Sequence, residues 1–341
     1  MARPLPPLAV TMGEPAGIGP DIILAAWRML KGKPRSAFLV IGDDRLFRSR
    51  AQGLGLDVAI RRIAEPSEAT PIFADALPLL EEPLPHLPQA GKPDSGTAGA
   101  VIACIEKAVT LALDGRIAGI VTGPIQKETL YAAGFSHQGH TDFLAHLAER
   151  AGHGAEPVMM LSSGTFRTVP VTVHIPLKNV PAALTTELIV RQARVCVADL
   201  APLLRRRPRL VVTGLNPHAG EGATIGTEDR DIIVPAVKRL KDDGIDVVGP
   251  VAADSTFHAQ ARAGFDLALC MYHDQALIPV KTLGFHNGIN TTLGLPFVRT
   301  SPDHGTALSL AGSGKADPRS LIAAIDMARR LAASGRWPKP R

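Results

Sequence analysis

Short apolar runs alternate with longer amphipathic segments along most of the chain. Runs rich in Val, Ile and Leu are typical of strands buried on both faces, and the segments between them are long enough for helices. This alternation predicts an α/β fold with a largely parallel sheet. The runs that we predict as strands are 8–12, 37–41, 118–122, 157–161, 168–174, 210–213, 247–249 and 267–271.

The clearest helical pattern extends from Gly96 to Leu113, where apolar residues recur at helical spacing after Ser95, the expected N-cap. Segments 186–204 and 229–240 have similar apolar faces. From Glu65 to Pro93 the density of proline rises, and this composition predicts a surface crossing without regular structure.

Composition limits the protein classes that fit. With 341 residues, of which 45% are hydrophobic, the chain exceeds the size at which one core usually divides, so we expect two lobes. No uninterrupted apolar run is long enough for a membrane span, and residues 1–7 lack the apolar centre of a signal peptide. We therefore predict a cytoplasmic protein without a membrane partner.

Charge and cysteine content narrow the choice further. A net charge of +5 favours anionic ligands, but the basic run 205–209 has no interleaved aromatic residues, so we expect no nucleic-acid partner. Cys104, Cys196 and Cys270 are far apart within apolar stretches. We predict that all three are reduced core residues.

Three of the predicted strands lead to a histidine: His174, His218 and His273. Ligands of parallel α/β sheets bind beyond the carboxyl ends of the strands. One histidine there would be an ordinary hydrogen-bonded residue, but three imidazoles can bind a divalent ion and leave positions open for a substrate. The pattern predicts a catalytic metal site. Asp274 could orient His273 or cap the following helix.

Other strand ends suggest anion binding. The glycine-rich turn 13–21 could present backbone N–H groups, although glycine is common at any tight turn. Thr141, after Gly139 and His140, is placed to cap a helix whose first turn could hold a phosphate. Lys281, Asn290 and Arg299 lie in a glycine-rich stretch that suits an anionic substrate or a solvated loop.

Five segments together resemble the 4-hydroxythreonine-4-phosphate dehydrogenase family of vitamin B6 (pyridoxine 5'-phosphate) biosynthesis. They are GEPAGIGP at 13–20, GHT at 139–141, GLNPHAGEG at 214–222, MYHDQ at 271–275 and TLGLPFVRT at 292–300. The resemblance implies a two-lobed α/β/α fold like that of isocitrate and isopropylmalate dehydrogenases, with the active site in the cleft between the lobes. We expect the first lobe to comprise 1–125 and 281–341, and the second 126–280.

The resemblance also implies ligands. His174, His218 and His273 would bind one divalent ion, commonly zinc, with magnesium, cobalt or manganese as alternatives. The site would be shared by the two subunits of a homodimer. The implied substrate contacts are His140, Thr141, Lys281, Asn290 and Arg299. NAD or NADP would bind a loop that contains His304, Gly305, Thr306, Ala307, Gly312 and Asp317.

The implied reaction is oxidation of 4-phosphooxy-L-threonine to a β-keto acid, 2-amino-3-oxo-4-phosphooxybutanoate. Loss of carbon dioxide then yields 3-amino-2-oxopropyl phosphate. Lys281, Asp274 and Asp254 are candidate general bases, and the sequence does not choose among them. Two alternatives stay open: a dehydrogenase of D-threonate or D-erythronate 4-phosphate, and a phosphate acyltransferase of related fold.

Overall fold

The structure is a computed structural model that describes residues 5–33, 36–137 and 139–337. Contacts divide the chain into two compact units, Met1–Pro157 with Leu295–Arg341, and Val158–Gly294. The sequence-based bounds at 125/126 and 280/281 differ from this division. Segment 126–157, predicted in the second lobe, belongs to the first unit, and segment 281–294, predicted in the first lobe, belongs to the second unit. Those bounds remain a prediction about the functional lobes.

The first unit is a parallel sheet in the strand order β3-β4-β2-β1-β5-β12, flanked by helices. Its strands are β1 Leu8–Thr11, β2 Phe38–Gly42, β3 Ile60–Ile63, β4 Leu77–Glu81, β5 Ile120–Thr122 and β12 Arg299–Pro302. Its helices are α1 Gly19–Leu30, α2 Asp44–Gly53, α3 Ala69–Ile72, α4 Ala98–Leu113, α5 Lys127–Ala132, α6 His140–Arg150 and α12 Arg319–Ala333.

The second unit has the strand order β11-β6-β7-β10-β8-β9. Its strands are β6 Val158–Ser163, β7 Phe166–Pro170, β8 Leu210–Thr213, β9 Val247–Val251, β10 Leu267–Cys270 and β11 Ile289–Leu293. Its helices are α7 Val180–Ala183, α8 Thr186–Leu204, α9 Val234–Asp242, α10 Ala259–Arg262 and α11 His273–Gly284. Strand β6 pairs antiparallel with β7 and β11, and the other pairs are parallel.

The apolar sequences of the central strands reflect their burial. All four residues of β1 are buried, as expected for a strand with helices on both faces. In the first unit Trp27 and Phe38 are almost fully buried, and the Trp27 indole donates to the Phe73 carbonyl over 2.9 Å. In the second unit α8 and α9 pack on the strands around residues such as Cys196 and Leu240. The predicted α/β class is confirmed.

The three cysteines are buried, and none forms a disulfide. Burial raises the pKa of each thiol, as expected of the reduced core residues that the sequence predicted. The stretch Ser95–Leu113 is long and apolar enough for a membrane span by length and composition alone. Half of it is buried inside the unit, as in the core helix of a soluble protein. The start of the chain, 1–4, lies outside the described residues.

Several local predictions were wrong. The 65–93 segment contains β4 and α3, and β3, β11 and β12 were also missed. Strand β3 has two exposed arginines at its centre, β11 buries two threonines, and β12 buries an arginine, a threonine and a serine, so none shows an apolar run. Asp94, not Ser95, caps the turn before α4 by accepting the Gly96 N–H over 2.8 Å.

Candidate active site

Two of the predicted metal-binding histidines line one pocket of the second unit. His174 follows β7, and His273 is the first residue of α11. Their ring centroids are 5.7 Å apart. The pocket has a volume of about 300 Å³ and is lined by Thr172, His174, Ile175, Leu177, Val180, Tyr272, His273 and Asp274. The two imidazoles are therefore close enough to approach a common ligand.

His218 lies in a separate turn, Pro217–Ala223, beyond β8. Among residues 5–33, 36–137 and 139–337 of this single chain, no three or more His, Cys, Asp or Glu side chains form a group able to hold a metal. The structure thus brings two of the three predicted ligands together, and the predicted three-histidine site is not assembled within one chain.

The backbone at His174 and His218 is left-handed, with φ values of 52° and 54°. Each such residue other than glycine costs roughly 1–2 kcal/mol, and strain of this kind concentrates at functional sites. Both histidines are exposed, so core packing does not account for the conformation. The strain supports a functional role for both side chains.

The three candidate bases occupy different positions in the second unit. Asp274 is exposed, and its carboxylate lies 2.6 Å from Nδ1 of His273, as expected of a group that orients the ring. Asp254, in the turn Ala253–Ser255, lines a second shallow pocket together with Asp274. Lys281 lies two turns further along α11, and it is partly exposed. These positions leave the choice of base open.

The first unit contains a buried cationic site at the ends of two strands. Arg299 begins β12, is 3% exposed, and donates from Nη2 to Thr122 Oγ1 at the end of β5 over 2.7 Å. Burial lowers the pKa of its guanidinium to about 10, and it stays protonated at neutral pH. Buried arginine at strand ends is suited to binding an anion.

His140 contributes to the same site. It is the first residue of α6, and burial, followed by the charges of Arg299 and Lys127, lowers its pKa well below the usual 6.5. The ring is therefore neutral at pH 7. Its Nε2 is sealed from solvent and has no hydrogen-bond partner among the residues that the structure describes. Buried polar atoms are rarely unpaired, so this atom is available to a ligand.

Two expectations about this segment change. Thr141 lies within the first turn of α6 and does not cap it; the N-cap is Gly139, without a side-chain hydrogen bond. Lys127, at the start of α5, was missed. A methyl group placed on Gly139 would be 3.5 Å from its Nζ. The signal was present, because Lys127 follows the end of β5, where α/β enzymes place ligand-binding residues.

The predicted cofactor segment lies on the glycine-rich first turn of the same unit. Thr306 is buried and donates from Oγ1 to Gln126 Oε1 over 2.8 Å, and its carbonyl accepts the Ile18 N–H over 3.0 Å. Ala307 is left-handed, with φ 41°. His304 has a buried Nε2 without a partner among the described residues. Gly305, Gly312 and Asp317 lie in the same exposed or partly exposed segment.

A buried ion pair that the sequence analysis missed fastens this segment. Asp21 of α1 pairs with Arg50 of α2, and their side chains are 3% and 6% exposed. Arg50 also donates to the Pro15 and Gly17 carbonyls, and Asp21 accepts the Gly312 N–H over 2.8 Å. Nothing in residue spacing indicates this pair, because 29 positions separate its members.

Asn290, on β11 of the second unit, has a buried Oδ1 that also lacks a partner among the described residues. Three predicted ligand-binding residues, His140, His304 and Asn290, thus each have one unpaired buried polar atom. Such atoms are expected where a ligand completes the hydrogen bonding. The fold and these sites are those of an α/β protein with residues suited to binding a polar, anionic ligand.

The sequence also matches a known family over residues 35–328, described as pyridoxal phosphate biosynthetic protein PdxA. The 4-hydroxythreonine-4-phosphate dehydrogenase of Methylorubrum populi is 52% identical over 332 residues, 96% of this chain and 94% of the relative. The crystal structure of the enzyme with that name from Klebsiella pneumoniae has a TM-score of 0.84 and 36% identity, over 96% of this chain and 99% of the other.

The chain belongs to this PdxA family. It is therefore an oxidoreductase of vitamin B6 biosynthesis, and its membership in a family of dehydrogenases implies a nicotinamide cofactor. A branched-chain phosphotransacylase of Enterococcus faecalis is also similar in structure, with a TM-score of 0.54 and 12% identity over 95% of this chain and 99% of the other. That likeness shows a related fold alone.

Proposed function

We propose that this protein oxidises 4-phosphooxy-L-threonine at C3 with NAD or NADP, and that the product loses carbon dioxide to give 3-amino-2-oxopropyl phosphate. The observation that supports this most directly is the buried Arg299 beside His140, whose Nε2 has no partner among the described residues. A fixed cation beside a neutral ring with an unpaired nitrogen is suited to an anionic, hydroxylated substrate.

Arg299 and His140 bind the substrate in this proposal, and Lys127 adds a second positive charge beside His140. Thr141 offers a hydroxyl and a backbone N–H in the first turn of α6, where anions are stabilised. We also propose Lys281 and Asn290, in the second unit, as substrate-binding residues. The unpaired Oδ1 of Asn290 would accept a hydrogen bond from the substrate's amino or hydroxyl group.

His174, His218 and His273 are the proposed ligands of one divalent ion, for which zinc is the first choice and magnesium, cobalt or manganese the alternatives. Imidazole nitrogens are suited to zinc, and the 5.7 Å between the rings of His174 and His273 is compatible with a shared ion. When bound, such an ion supplies Lewis-acid polarisation of a substrate oxygen.

A homodimer would complete that site, with histidines from both subunits. Supporting this, the surface beside His174 and His273 is apolar where a soluble monomer would be polar. Ile175 and Leu177 line the pocket of the two histidines, and Leu177 is 67% exposed. Ile278 and Leu283, also exposed, line the neighbouring pocket that shares Asp274. A second copy of the chain could bury them.

The nicotinamide cofactor would bind the segment that includes His304, Gly305, Thr306, Ala307, Gly312 and Asp317. Its left-handed Ala307 and its glycines allow the backbone to approach a ligand closely. The unpaired Nε2 of His304 offers a polar contact. We expect the enzyme to work in the cytoplasm, where this cofactor is available.

The chemistry requires two transfers in the first step. When bound, the nicotinamide would accept hydride from C3, and Lys281, Asp274 or Asp254 would take the C3 hydroxyl proton. In the second step the C1–C2 bond breaks, carbon dioxide leaves, and the electron pair moves toward the C3 oxygen. A proton then returns to C2. The neutral His140 and the charged Arg299 hold the substrate throughout.

The test is nicotinamide reduction by the full-length protein with 4-phosphooxy-L-threonine, with carbon dioxide measured in parallel. Activity should disappear after chelation and return with zinc. His218→Ala should lose both activity and bound zinc, whereas the matched variant His258→Ala, at an exposed histidine of the same unit, should retain both.

Other outcomes would identify a different enzyme. Reduction with threonate or erythronate 4-phosphate but not with the amino acid would make the protein a sugar-acid phosphate dehydrogenase. A product formed only in the presence of an acyl-coenzyme A donor would make it an acyltransferase. Chelator-resistant turnover with 4-phosphooxy-L-threonine would contradict the metal, not the substrate.

A further inference from the structure

The turn that contains His218 has an unusual backbone. Six consecutive residues, from His218 to Ala223, have positive φ. Only two of them are glycines, and a left-handed run is unfavourable for the other four, which are His218, Ala219, Glu221 and Ala223. Local sequence therefore does not stabilise this conformation, and contacts from elsewhere in the unit must hold it.

Asp229 holds the chain that leads into this turn. This residue is 2% exposed and begins a five-residue π-helical turn, Asp229–Ile233. Its Oδ1 accepts the Leu215 N–H over 2.9 Å, and its Oδ2 accepts the Asn216 N–H over 3.1 Å. The Asn216 side-chain amide donates to the same Oδ2 over 3.0 Å, and to Glu228 over 2.8 Å.

The carboxylate also fills the space enclosed by the turn. A methyl group on Gly214 would lie 2.6 Å from Asp229 Oδ1, and one on Gly220 would lie 3.2 Å from Asp229 Cβ. The carboxylate thus contacts the chain both before and within the left-handed run. Because two backbone N–H groups donate to separate oxygens, the position of the chain just before His218 is fixed from one buried point.

We infer that Asp229 is a positioning residue that holds the left-handed turn and thereby aims His218. The inference rests on the proposed role of His218 in metal binding. Asp229 does not itself reach the ion; it acts through the backbone of Leu215 and Asn216. A carboxylate is required, because asparagine has one accepting oxygen and would turn N–H groups toward a donor.

The test is the zinc affinity of Asp229→Asn, measured on the full-length protein by competition with a chromogenic chelator. Loss of a group that orients a metal ligand typically weakens binding by roughly tenfold to a hundredfold, and we expect a loss in that range. Asp231→Asn is the matched control. Asp231 lies in the same π-helical turn but is exposed and paired with Arg230, so zinc affinity should not change.

Two more variants separate positioning from general stability. Gly214→Ala would place a methyl group 2.6 Å from Asp229 Oδ1 and 2.7 Å from Ala219 Cα, so it disturbs both the carboxylate and the turn that the carboxylate holds, and it should also weaken zinc binding. Asp199→Asn removes another buried carboxylate of the same unit, one that accepts the Gly294 N–H over 2.7 Å. That change should lower the melting temperature without altering zinc affinity.

His218→Ala provides the reference for the whole set. If it loses zinc while Asp229→Asn and Gly214→Ala both bind zinc as tightly as Asp231→Asn, the positioning role is wrong. If His218→Ala binds zinc like the wild type, the proposed metal site is wrong, and the inference fails with it. Weakened binding in Asp229→Asn and Gly214→Ala but not in Asp199→Asn would establish the role.

Discussion

The candidate sites of the two units are built in opposite ways. In the first unit Arg299 is 3% exposed and Nε2 of His140 is sealed from solvent, so the polar groups are fixed before a ligand arrives. In the second unit His174 and His218 are exposed and are held by left-handed backbone. The first site is formed by the fold of its own unit, whereas the second lies on a surface.

This difference has an energetic consequence. Burying a guanidinium is unfavourable, and the lowered pKa of Arg299 expresses that penalty. An exposed histidine avoids it, but its strained turn must be stabilised by other contacts, as Asp229 does for His218. We therefore expect substitutions in the first unit to alter binding and stability together, and those at the histidines to alter metal binding alone.

The largest effect should follow Arg299→Met. Loss of the charged hydrogen bonds should raise the KM for the phosphorylated substrate by about a hundredfold, since each such bond is worth roughly 1.5–3 kcal/mol. Steady-state kinetics would measure it. Arg329→Met is the matched control, because burial also lowers the pKa of Arg329 to about 10, but its guanidinium donates to the Pro6 and Ala37 carbonyls.

Arg329→Met should therefore destabilise the fold while leaving the KM unchanged. If the KM is unchanged in Arg299→Met, or changes equally in both variants, Arg299 does not bind the substrate. The contrast between the two units would then lose its main support, because a buried cation would have no ligand to explain it.

The sequence predicted the framework well where burial is uniform. The predicted bounds 186–204 match α8, and the central strands were found, because their apolar runs express burial on both faces. Strands β11 and β12 were missed because the threonines and the arginine that they bury are polar. The elements that present Asn290 and Arg299 were thus the least visible ones.

The site was predictable in part for a similar reason. Residue types at strand ends indicated His174, His218 and His273, the glycine-rich stretch suggested Arg299, and family motifs added the others. Spacing could not indicate the Asp21–Arg50 pair or the Asp229 contacts, since these join residues distant in the chain or depend on left-handed backbone. Such contacts are properties of the folded chain.

Arg50→Ala should have a smaller effect than Arg299→Met. It tests whether buried charges stabilise the first unit. Breaking a buried ion pair leaves Asp21 without its partner and typically costs about 3–5 kcal/mol in the free energy of unfolding. Urea denaturation would measure this. Because Asp21 accepts the Gly312 N–H, the KM for the nicotinamide cofactor should also rise, with less effect on the substrate KM.

The matched control is Arg48→Ala on the same helix. Arg48 is 54% exposed and pairs with Asp44, so the change should cost less than about 1 kcal/mol. Comparable losses of stability in the two variants would contradict the importance of burial in this unit. A normal cofactor KM in a folded Arg50→Ala protein would separate the ion pair from cofactor binding.

The smallest expected effect concerns pH. Burial and the charges of Arg299 and Lys127 depress the pKa of His140 below 6.5 in the folded protein, whereas the unfolded chain titrates near 6.5. As pH falls below that value, the unfolded state takes up a proton that folded His140 refuses. The free energy of unfolding therefore decreases, by at most about 1.4 kcal/mol per pH unit. Above it, His140 makes no difference.

His140→Gln should remove this contribution, so its stability should fall less than that of the wild type between about pH 7 and about pH 5.5. Urea denaturation at both values would measure the difference, with His153→Gln, at an exposed histidine of the same unit, as control. An unchanged pH dependence would mean that folded His140 accepts a proton readily. The protonation of His140 would then follow the pH of the solvent, as that of an exposed histidine does. The distinction between the buried site of the first unit and the exposed site of the second would not hold.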